Sequence, residues 1–139
     1  MADAAKNREL VQTIMREFVA GSVATLLGNL TEDATLEISI PEGTPLSGKF
    51  QGSAGFLEYF KRVVETLEPV EVVVTDYLAE GDKVVVLGDE KLRVKRTGTV
   101  WPSRYAIVYT FREGRIAHMS MIEDMAPYAA AYLPASARE

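Results

Sequence analysis

The chain has 139 residues, 47% of them hydrophobic, which is enough apolar material for the core of one domain. Its net charge is -5 and its basic residues form no long run, so nucleic acid is not an expected partner. Because cysteine is absent, the sequence excludes a disulfide framework, a thiolate nucleophile and a cysteine-ligated zinc.

The first two elements predicted from the sequence are helices. Apolar residues at spacings of three and four predict a first helix that Gly21 ends: Leu10, Val11, Ile14, Met15 and Phe18. Ser22 is predicted to cap a short second helix that ends at Gly28 and Asn29, before an acidic turn at Glu32 and Asp33.

A strand and a third helix are predicted next. Leu36, Ile38 and Ile40 alternate with polar residues, which is typical of a half-buried strand, and a short strand up to Phe50 follows. Ser53 is predicted to cap a helix that stops before Pro69. Its apolar stripe is the widest in the chain: Phe56, Leu57, Phe60, Val63, Val64 and Leu67.

The segment from Val70 to Glu123 is rich in β-formers and is cut by glycine-bearing turns at Gly81, Gly98 and Gly114, which predicts four consecutive antiparallel strands. A twisted sheet can cover the helices only by curling around them. We therefore expect an α+β fold with a cone-shaped, curved, mixed or antiparallel sheet wrapped around three helices from the N-terminal half. An alanine-rich tail is expected to form a last helical turn or to lie across the mouth of the cone.

Strand alternation predicts which side chains face the inside of the cone. Tyr105, Ile107, Tyr109 and Phe111 should point inward, as should Met119 and Met121 together with Ala117. The full set expected to line an apolar ligand pocket comprises Ile14, Phe18, Ile38, Phe60, Glu90, Trp101, Tyr105, Ile107, Met119 and Met121.

Two acids belong to the inward set, Glu90 and Glu123. Burial among apolar side chains raises the pKa of a carboxyl group and suits it to proton transfer. The alternative is that either acid is solvated at the mouth or paired with an arginine such as Arg96.

The outward face is partly apolar at Ala106, Val108, Ile122, Val85 and Leu87, which predicts a homodimer through the outer face of the sheet. His118 is expected on that outer face, and a lone histidine without clustered acids predicts no metal site. No cofactor is expected. The chain has no apolar run near the roughly 18 residues of a membrane span, so we expect a cytoplasmic protein without a membrane partner.

Four segments resemble the nuclear transport factor 2-like proteins, in particular their SnoaL-like and ketosteroid isomerase-like branch. They are LTEDATLEISI from Leu30, GKFQG from Gly48, GDKVVVL from Gly81 and FREGRI from Phe111. The resemblance spans most of the chain and implies a single SnoaL-like domain over residues 1–139 with the α+β roll, also called cystatin-like, of that superfamily.

The resemblance also bears on function. In ketosteroid isomerases, which this chain resembles, the general base, the oxyanion-binding tyrosine and the aspartic acid that helps it fall at Ile38, Ile14 and Ile107 of this sequence. An aspartate of limonene epoxide hydrolase-like members falls at Met121. All four functional residues are therefore replaced by apolar ones. Asp124 matches an acid that SnoaL-like cyclases keep near the end of the last strand, although a helix cap would explain it equally.

Two functions follow from these residues. The first is general acid-base chemistry of isomerase, cyclase or hydrolase type on a carbonyl or polyketide-like compound, with Asp124 or Glu123 as acid-base and Tyr109 or Tyr105 as hydroxyl donor. The second is a non-catalytic protein that binds a small hydrophobic molecule, or a dimeric interaction module.

Overall fold

The structure is a computed structural model that describes residues 3–134. The elements follow in this order: α1 (Ala4–Val19), α2 (Ala24–Gly28), β1 (Leu30–Ile38), β2 (Lys49–Gln51), α3 (Gly52–Thr66), β3 (Leu67–Glu80), β4 (Lys83–Val94), β5 (Val100–Arg112), β6 (Arg115–Glu123) and α4 (Ala126–Tyr132). Within the described range, no helix is both long and apolar enough to cross a membrane. The cellular compartment stays a prediction.

All six strands form one curved sheet in the order β2-β1-β6-β5-β4-β3. β1 runs parallel to β6, while every other neighbouring pair is antiparallel. The four-strand meander from β3 to β6 is confirmed, and the mixed sheet with helices on its inner side is the predicted α+β architecture.

The first two helices are held together at their junction. α1 buries Val11, Ile14 and Met15 against the sheet, as predicted. The Ser22 hydroxyl accepts a hydrogen bond from the Ala24 backbone N–H at 3.2 Å, and a Glu17 carboxylate oxygen accepts one from the Thr25 N–H at 3.0 Å. These acceptors satisfy free N–H groups at the start of α2, which is too short to be stable by itself.

The predicted acidic turn at Glu32 and Asp33 is wrong, because both residues lie within β1. β1 pairs with β6 from Leu30 onward, with an irregularity between Leu30 and Thr35. There the acids point to solvent, and Arg112 from β5 pairs with Asp33 at 2.5 Å. An irregular strand tolerates two exposed acids that a regular alternation would have to bury on one side.

The third helix differs from its prediction at both ends. It starts at Gly52 without a side-chain cap from Ser53, and Pro69 lies inside the edge strand β3, where a missing N–H is tolerated. Its buried face is Phe56 and Tyr59, whereas Leu57 and Val64 are 54% and 67% exposed. The predicted stripe was too wide because α3 contacts the sheet along one side only.

The predicted inner face of the meander is confirmed. Tyr105, Ile107, Tyr109 and Phe111 are all buried on β5, and Leu92 and Val94 are buried on β4. The pairing of β5 with β6 shifts in register between Thr110 and Phe111 of β5. As a result, Ile116 of β6 pairs with Phe111, and Ala117 has no partner on β5. Ile116 therefore occupies the inward place that was predicted for Ala117.

Candidate functional site

Two glutamates from different strands meet on the inner face of the sheet. Glu90 lies on β4 and Glu123 lies near the end of β6, with β5 between them. Ser103 of β5 stands opposite Glu90, and Tyr105 stands opposite Glu123. Both residues are half-buried, Glu123 Oε2 is inaccessible to solvent, and the two carboxyl groups lie within hydrogen-bonding contact of each other. The structure thus places both predicted inward acids together and pairs neither with Arg96.

Burial and proximity together favour one proton on this pair. Burial, followed by the neighbouring Glu90 charge, raises the pKa of Glu123 to about 9, while the nearby Ser103 hydroxyl opposes the rise. Burial also raises the pKa of Glu90. Glu123 Oε2 is buried without a hydrogen-bond partner. A proton on one carboxyl would turn two acceptors into a donor and an acceptor, so we expect the pair to hold one at neutral pH.

Tyrosine hydroxyls surround the pair but already have partners. Tyr59 of α3 donates to Met121 Sδ at 3.2 Å, and Tyr105 donates to the Val73 carbonyl oxygen at 3.3 Å. Burial raises the pKa of Tyr59, and the charges of Glu123 and Glu90 raise it further. The tyrosines are therefore neutral donors near two carboxyl groups.

The other two residues predicted to be catalytic lie elsewhere. Tyr109 is fully buried, and its hydroxyl contacts Met15 Sδ at 3.4 Å in the core. Asp124 is exposed, and its carboxylate accepts the Ala126 backbone N–H at 3.0 Å at the start of α4. Met125 is the N-cap residue of α4 and Asp124 precedes it, so the Asp124 carboxylate binds one backbone N–H beside the helix without being its cap. Neither Tyr109 nor Asp124 joins the Glu90 and Glu123 pair.

The predicted pocket-lining residues pack against one another in a single apolar core. Five of the ten are at most 6% exposed: Ile14, Trp101, Tyr105, Ile107 and Met119. The other five are half-buried: Phe18, Ile38, Phe60, Glu90 and Met121. Trp101 donates its indole N–H to the Asp124 carbonyl oxygen at 3.1 Å. A guest would have to enter between side chains that now contact each other.

Two surface depressions are found outside this core. One, of about 470 Å³, lies on the outer face of β3 to β5 among charged residues such as Asp89, Lys91 and Arg104. Glu90 and Ser103 border it too, although strand alternation points their side chains to the opposite face. The other, of about 510 Å³, lies beside Arg112 and Arg115. Neither is the predicted pocket inside the cone.

Comparison with protein families decides the wider relationship. The model of the SnoaL-like domain matches residues 11–119, which is most of the chain. The chain belongs to the SnoaL-like domain family. The match includes Glu90 on β4 and ends before Glu123, so it covers one member of the carboxyl pair.

Solved structures share the fold of this SnoaL-like domain. An NTF2-like protein from Burkholderia xenovorans LB400 has 22% identity and a TM-score of 0.81 over 94% of this chain and 98% of that chain. TerC, co-crystallised with polyporic acid, has 23% identity and a TM-score of 0.76 over 91% and 97% of the two chains. A candidate SnoaL-like polyketide cyclase from Mesorhizobium loti has 16% identity and a TM-score of 0.71 over 87% and 98%. A comparison with curated proteins found no match.

His118 of the SnoaL-like domain lies on the outer face, where it was expected. Its Nδ1 lies 2.6 Å from the Thr35 hydroxyl and its Nε2 lies 3.2 Å from a Glu37 carboxylate oxygen. Among residues 3–134 no three histidine, aspartate or glutamate side chains are grouped as a metal site would require. His118 therefore links β6 to β1 as part of the sheet surface.

Sequence reasoning missed Ser103 as a neighbour of the carboxyl pair. Ser103 is half-buried and faces inward because it alternates with Trp101 and Tyr105. The signal was present in the pairing of β4 with β5, which sets Ser103 opposite Glu90. Register across a hairpin depends on the turn, so the pairing was readable only once the turn around Gly98 was fixed.

Proposed function

We propose that this SnoaL-like domain is a proton-transfer enzyme that acts on a small, mostly apolar carbonyl compound. The observation that supports it is the pair of buried carboxyl groups, Glu90 and Glu123, inside an otherwise apolar wall. Two acids whose surroundings separate their pKa values can serve as an acid and a base at one pH.

The two glutamates take complementary roles in this proposal. Glu123 keeps its proton at neutral pH and donates a hydrogen bond to the carbonyl oxygen of the substrate. Glu90, held ionised beside it, accepts a proton from the carbon next to that carbonyl. The proton then returns to the same or another carbon, so the reaction is an isomerisation or a cyclisation-type step with no net transfer.

Proton exchange tests this proposal without knowledge of the natural substrate. A panel of cyclic ketones and aryl alkyl ketones, each with a proton on the carbon next to the carbonyl, is incubated with the protein in D₂O. Loss of the proton signal next to the carbonyl is followed by NMR. For a compound whose proton exchange the wild-type protein accelerates, we expect Glu123→Gln and Glu90→Gln each to lower the exchange rate at least about 100-fold. A general acid or base usually contributes an effect of this size.

Asp124→Asn is the matched control for these variants. Asp124 is exposed, and asparagine can still accept the Ala126 N–H, so the exchange rate should stay within about twofold of wild type. A large loss in Asp124→Asn, with rates unchanged in both glutamine variants, would assign the chemistry to Asp124 instead.

A non-catalytic binding role is the second candidate. It is supported by the apolar character of the residues around the pair, which suits an apolar molecule and supplies few groups for chemistry. A compound that raises the melting temperature of wild type and of both glutamine variants alike, without exchange in any of them, would support this candidate.

We also propose that the domain forms a homodimer through the outer face of the sheet. Ile122 on β6 and Leu78 on β3 are 51% and 56% exposed on this face, and half-buried Val85, Leu87, Ala106 and Val108 lie on the two strands between them. A continuous apolar face of this kind is best covered by an identical copy that presents the same face.

A charge on this face should separate the dimer. We expect light scattering during gel filtration to give twice the chain mass for wild type and the single chain mass for Val108→Glu. Leu57→Glu is the control, because it adds the same charge at an exposed apolar residue on α3, away from the outer face of the sheet. A wild-type protein that stays monomeric at high concentration would contradict the proposal.

A further inference from the structure

A threonine, a histidine and a glutamate meet on the outer face of the sheet, opposite to the face that carries Glu90 and Glu123. Thr35 and Glu37 lie on β1 two residues apart, and His118 lies on β6 directly beside Thr35. The Thr35 hydroxyl is 2.6 Å from His118 Nδ1, and a Glu37 carboxylate oxygen is 3.2 Å from His118 Nε2. A hydroxyl, an imidazole and a carboxylate are thus joined in series.

The direction of these hydrogen bonds follows from the chemistry of the three groups. An ionised carboxylate can only accept, so Glu37 takes the hydrogen bond of a protonated Nε2. In the neutral ring Nδ1 then carries the lone pair, and the Thr35 hydroxyl donates to it. Glu37 therefore orients the ring, and His118 is placed to remove the Thr35 proton. A base activates a hydroxyl nucleophile in this order of groups.

The sheet holds the three side chains in place. Alternation along β1 turns Thr35 and Glu37 to the same side, because buried Leu36 lies between them and faces inward. Buried Met119 has the same relation to His118 on β6. Threonine is branched at Cβ and has few rotamers, so its hydroxyl stays directed at the ring. The pairing of β1 with β6 thus fixes the arrangement.

A fourth polar side chain lies on the other side of Thr35. Gln51 of β2 is directly opposite Thr35, so both side chains are on the same face with their Cβ atoms about 5 Å apart. Gln51 is exposed, whereas Thr35 and His118 are half-buried. A side-chain amide can donate a hydrogen bond to the oxyanion that forms when a hydroxyl attacks a carbonyl. Nucleophile, base, orienting carboxylate and oxyanion donor thus share one strip of the outer face.

We infer that Thr35 is the nucleophile of an acyl-transfer site that accepts small activated esters. The Thr35 oxygen bonds to the ester carbonyl carbon as its proton passes to His118, and the carbon–oxygen bond to the leaving group then breaks. The leaving group departs as the alcohol with the proton from His118. Water, deprotonated by the same ring, then releases the acid from Thr35 and restores its hydroxyl. The net reaction is hydrolysis of the ester, and it shares no residue with the proton transfer proposed for the inner face.

The exposure of the site sets its substrate class. The His118 side chain is 32% exposed, so a small ester can approach the ring and the hydroxyl from solvent. Thr35 and Glu37 lie on β1, beyond the β3 to β6 surface proposed for the dimer. An open strip supplies little binding energy, so it suits an ester whose leaving group departs readily.

Acylation by p-nitrophenyl acetate tests the site. Stopped-flow absorbance follows the initial burst of p-nitrophenolate, and peptide mass spectrometry locates the acetyl group. Lysine also reacts with this ester, but its amide resists neutral hydroxylamine, whereas a threonine or serine ester is cleaved. We expect a hydroxylamine-sensitive acetyl group at position 35 in wild type and in Thr35→Ser, and none at this position in Thr35→Val.

His118→Gln should lower the rate of acylation at position 35 at least about 100-fold, because the general base is lost. Thr110→Val is the matched control. Thr110 pairs with His118 from the other side, on β5, and its hydroxyl accepts a hydrogen bond from Lys83 instead of contacting the ring. The acylation rate of this control should stay within about twofold of wild type, because the three groups keep their contacts.

Glu37 is a positioning residue, since it acts through the ring. His118 is the only histidine of the chain, so nitrogen-15 labelling of histidine gives one pair of ring signals by NMR. We expect the Nε2–H tautomer in wild type and a mixture of both tautomers in Glu37→Gln, because a glutamine amide can accept from Nε2 or donate to it. Acylation should slow at least about tenfold in this variant.

Two results would overturn the acyl-transfer site. One is an acetyl group at position 35 that forms equally fast in wild type and in His118→Gln, since the ring then does not activate the hydroxyl. The other is acetylation of wild type confined to hydroxylamine-resistant lysines, in which case the three side chains only join β1 to β6. Because no residue of the inner face enters this experiment, acylation can fail while proton exchange stands, and exchange can fail while acylation stands.

Discussion

The free energy of unfolding should fall as the pH rises from about 4.5 to about 9, and Glu123→Gln should remove most of that fall. The unfolded chain loses the Glu123 proton near 4.5, whereas the folded chain keeps it until about 9. Between these values the folded state binds one more proton, so stability is fully present below 4.5 and declines by at most about 1.4 kcal/mol per pH unit.

Glutamine resembles the protonated acid at every pH. Glu123→Gln should therefore match wild type near pH 4.5 and exceed its stability at pH 8 by about 2 kcal/mol, after the full linkage value is discounted for solvent screening of a partly exposed group. Urea unfolding at several pH values measures this difference. Glu80→Gln, at the exposed end of β3, is the control and should keep the wild-type slope. Identical slopes for wild type and Glu123→Gln would show that Glu123 is solvated.

The second large effect is expected at Gly88, in the middle of β4. A Cβ atom at this position would overlap the Tyr105 hydroxyl, the Tyr105 ring and the Val73 carbonyl oxygen, all closer than non-bonded atoms can approach. Glycine lets the Tyr105 ring cross β4 and reach that carbonyl. Because the ring and the backbone would both have to move, Gly88→Ala should destabilise the domain by about 3 kcal/mol, measured by urea unfolding.

Gly28→Ala is the matched control for this variant, since no atom would lie within 4 Å of its Cβ. We expect its stability to stay near that of wild type. In a double-mutant cycle, Tyr105→Ala should recover only part of the Gly88→Ala loss, because the Val73 carbonyl still blocks the Cβ. A Gly88→Ala protein as stable as wild type would mean that Tyr105 does not cross β4.

Strand alternation made the inner face predictable from sequence. It identified Glu90 and Glu123 as inward acids because each alternates with buried apolar neighbours. Alternation along one strand says nothing about distance between strands, however. That the two carboxyls meet across β5 depends on the register of two hairpins and on the shift near Ala117, which only the folded sheet fixes.

The buried face and the C-terminal end of α3 were predicted less well, because contacts with other parts of the chain decide them and local sequence does not. Leu57 and Val64 satisfy a helical stripe, yet they stay exposed because no other element covers their side of α3. Leu67 and Pro69 were expected at the end of that helix. They lie in β3 instead, because Leu67 pairs with Val94 of β4. Local periodicity cannot show which apolar residues find a partner elsewhere in the chain.

The shared proton of Glu90 and Glu123 is the claim on which the proposed chemistry depends. Carbon-13 labelling of the glutamate carboxyl groups allows each to be titrated by NMR, with Glu123→Gln and Glu90→Gln to assign the two signals. We predict that the Glu123 signal titrates near pH 9 and that it moves to lower pH in Glu90→Gln, since the Glu90 charge contributes to its pKa. Titration of every glutamate signal near pH 4.5 would contradict a buried, proton-sharing pair.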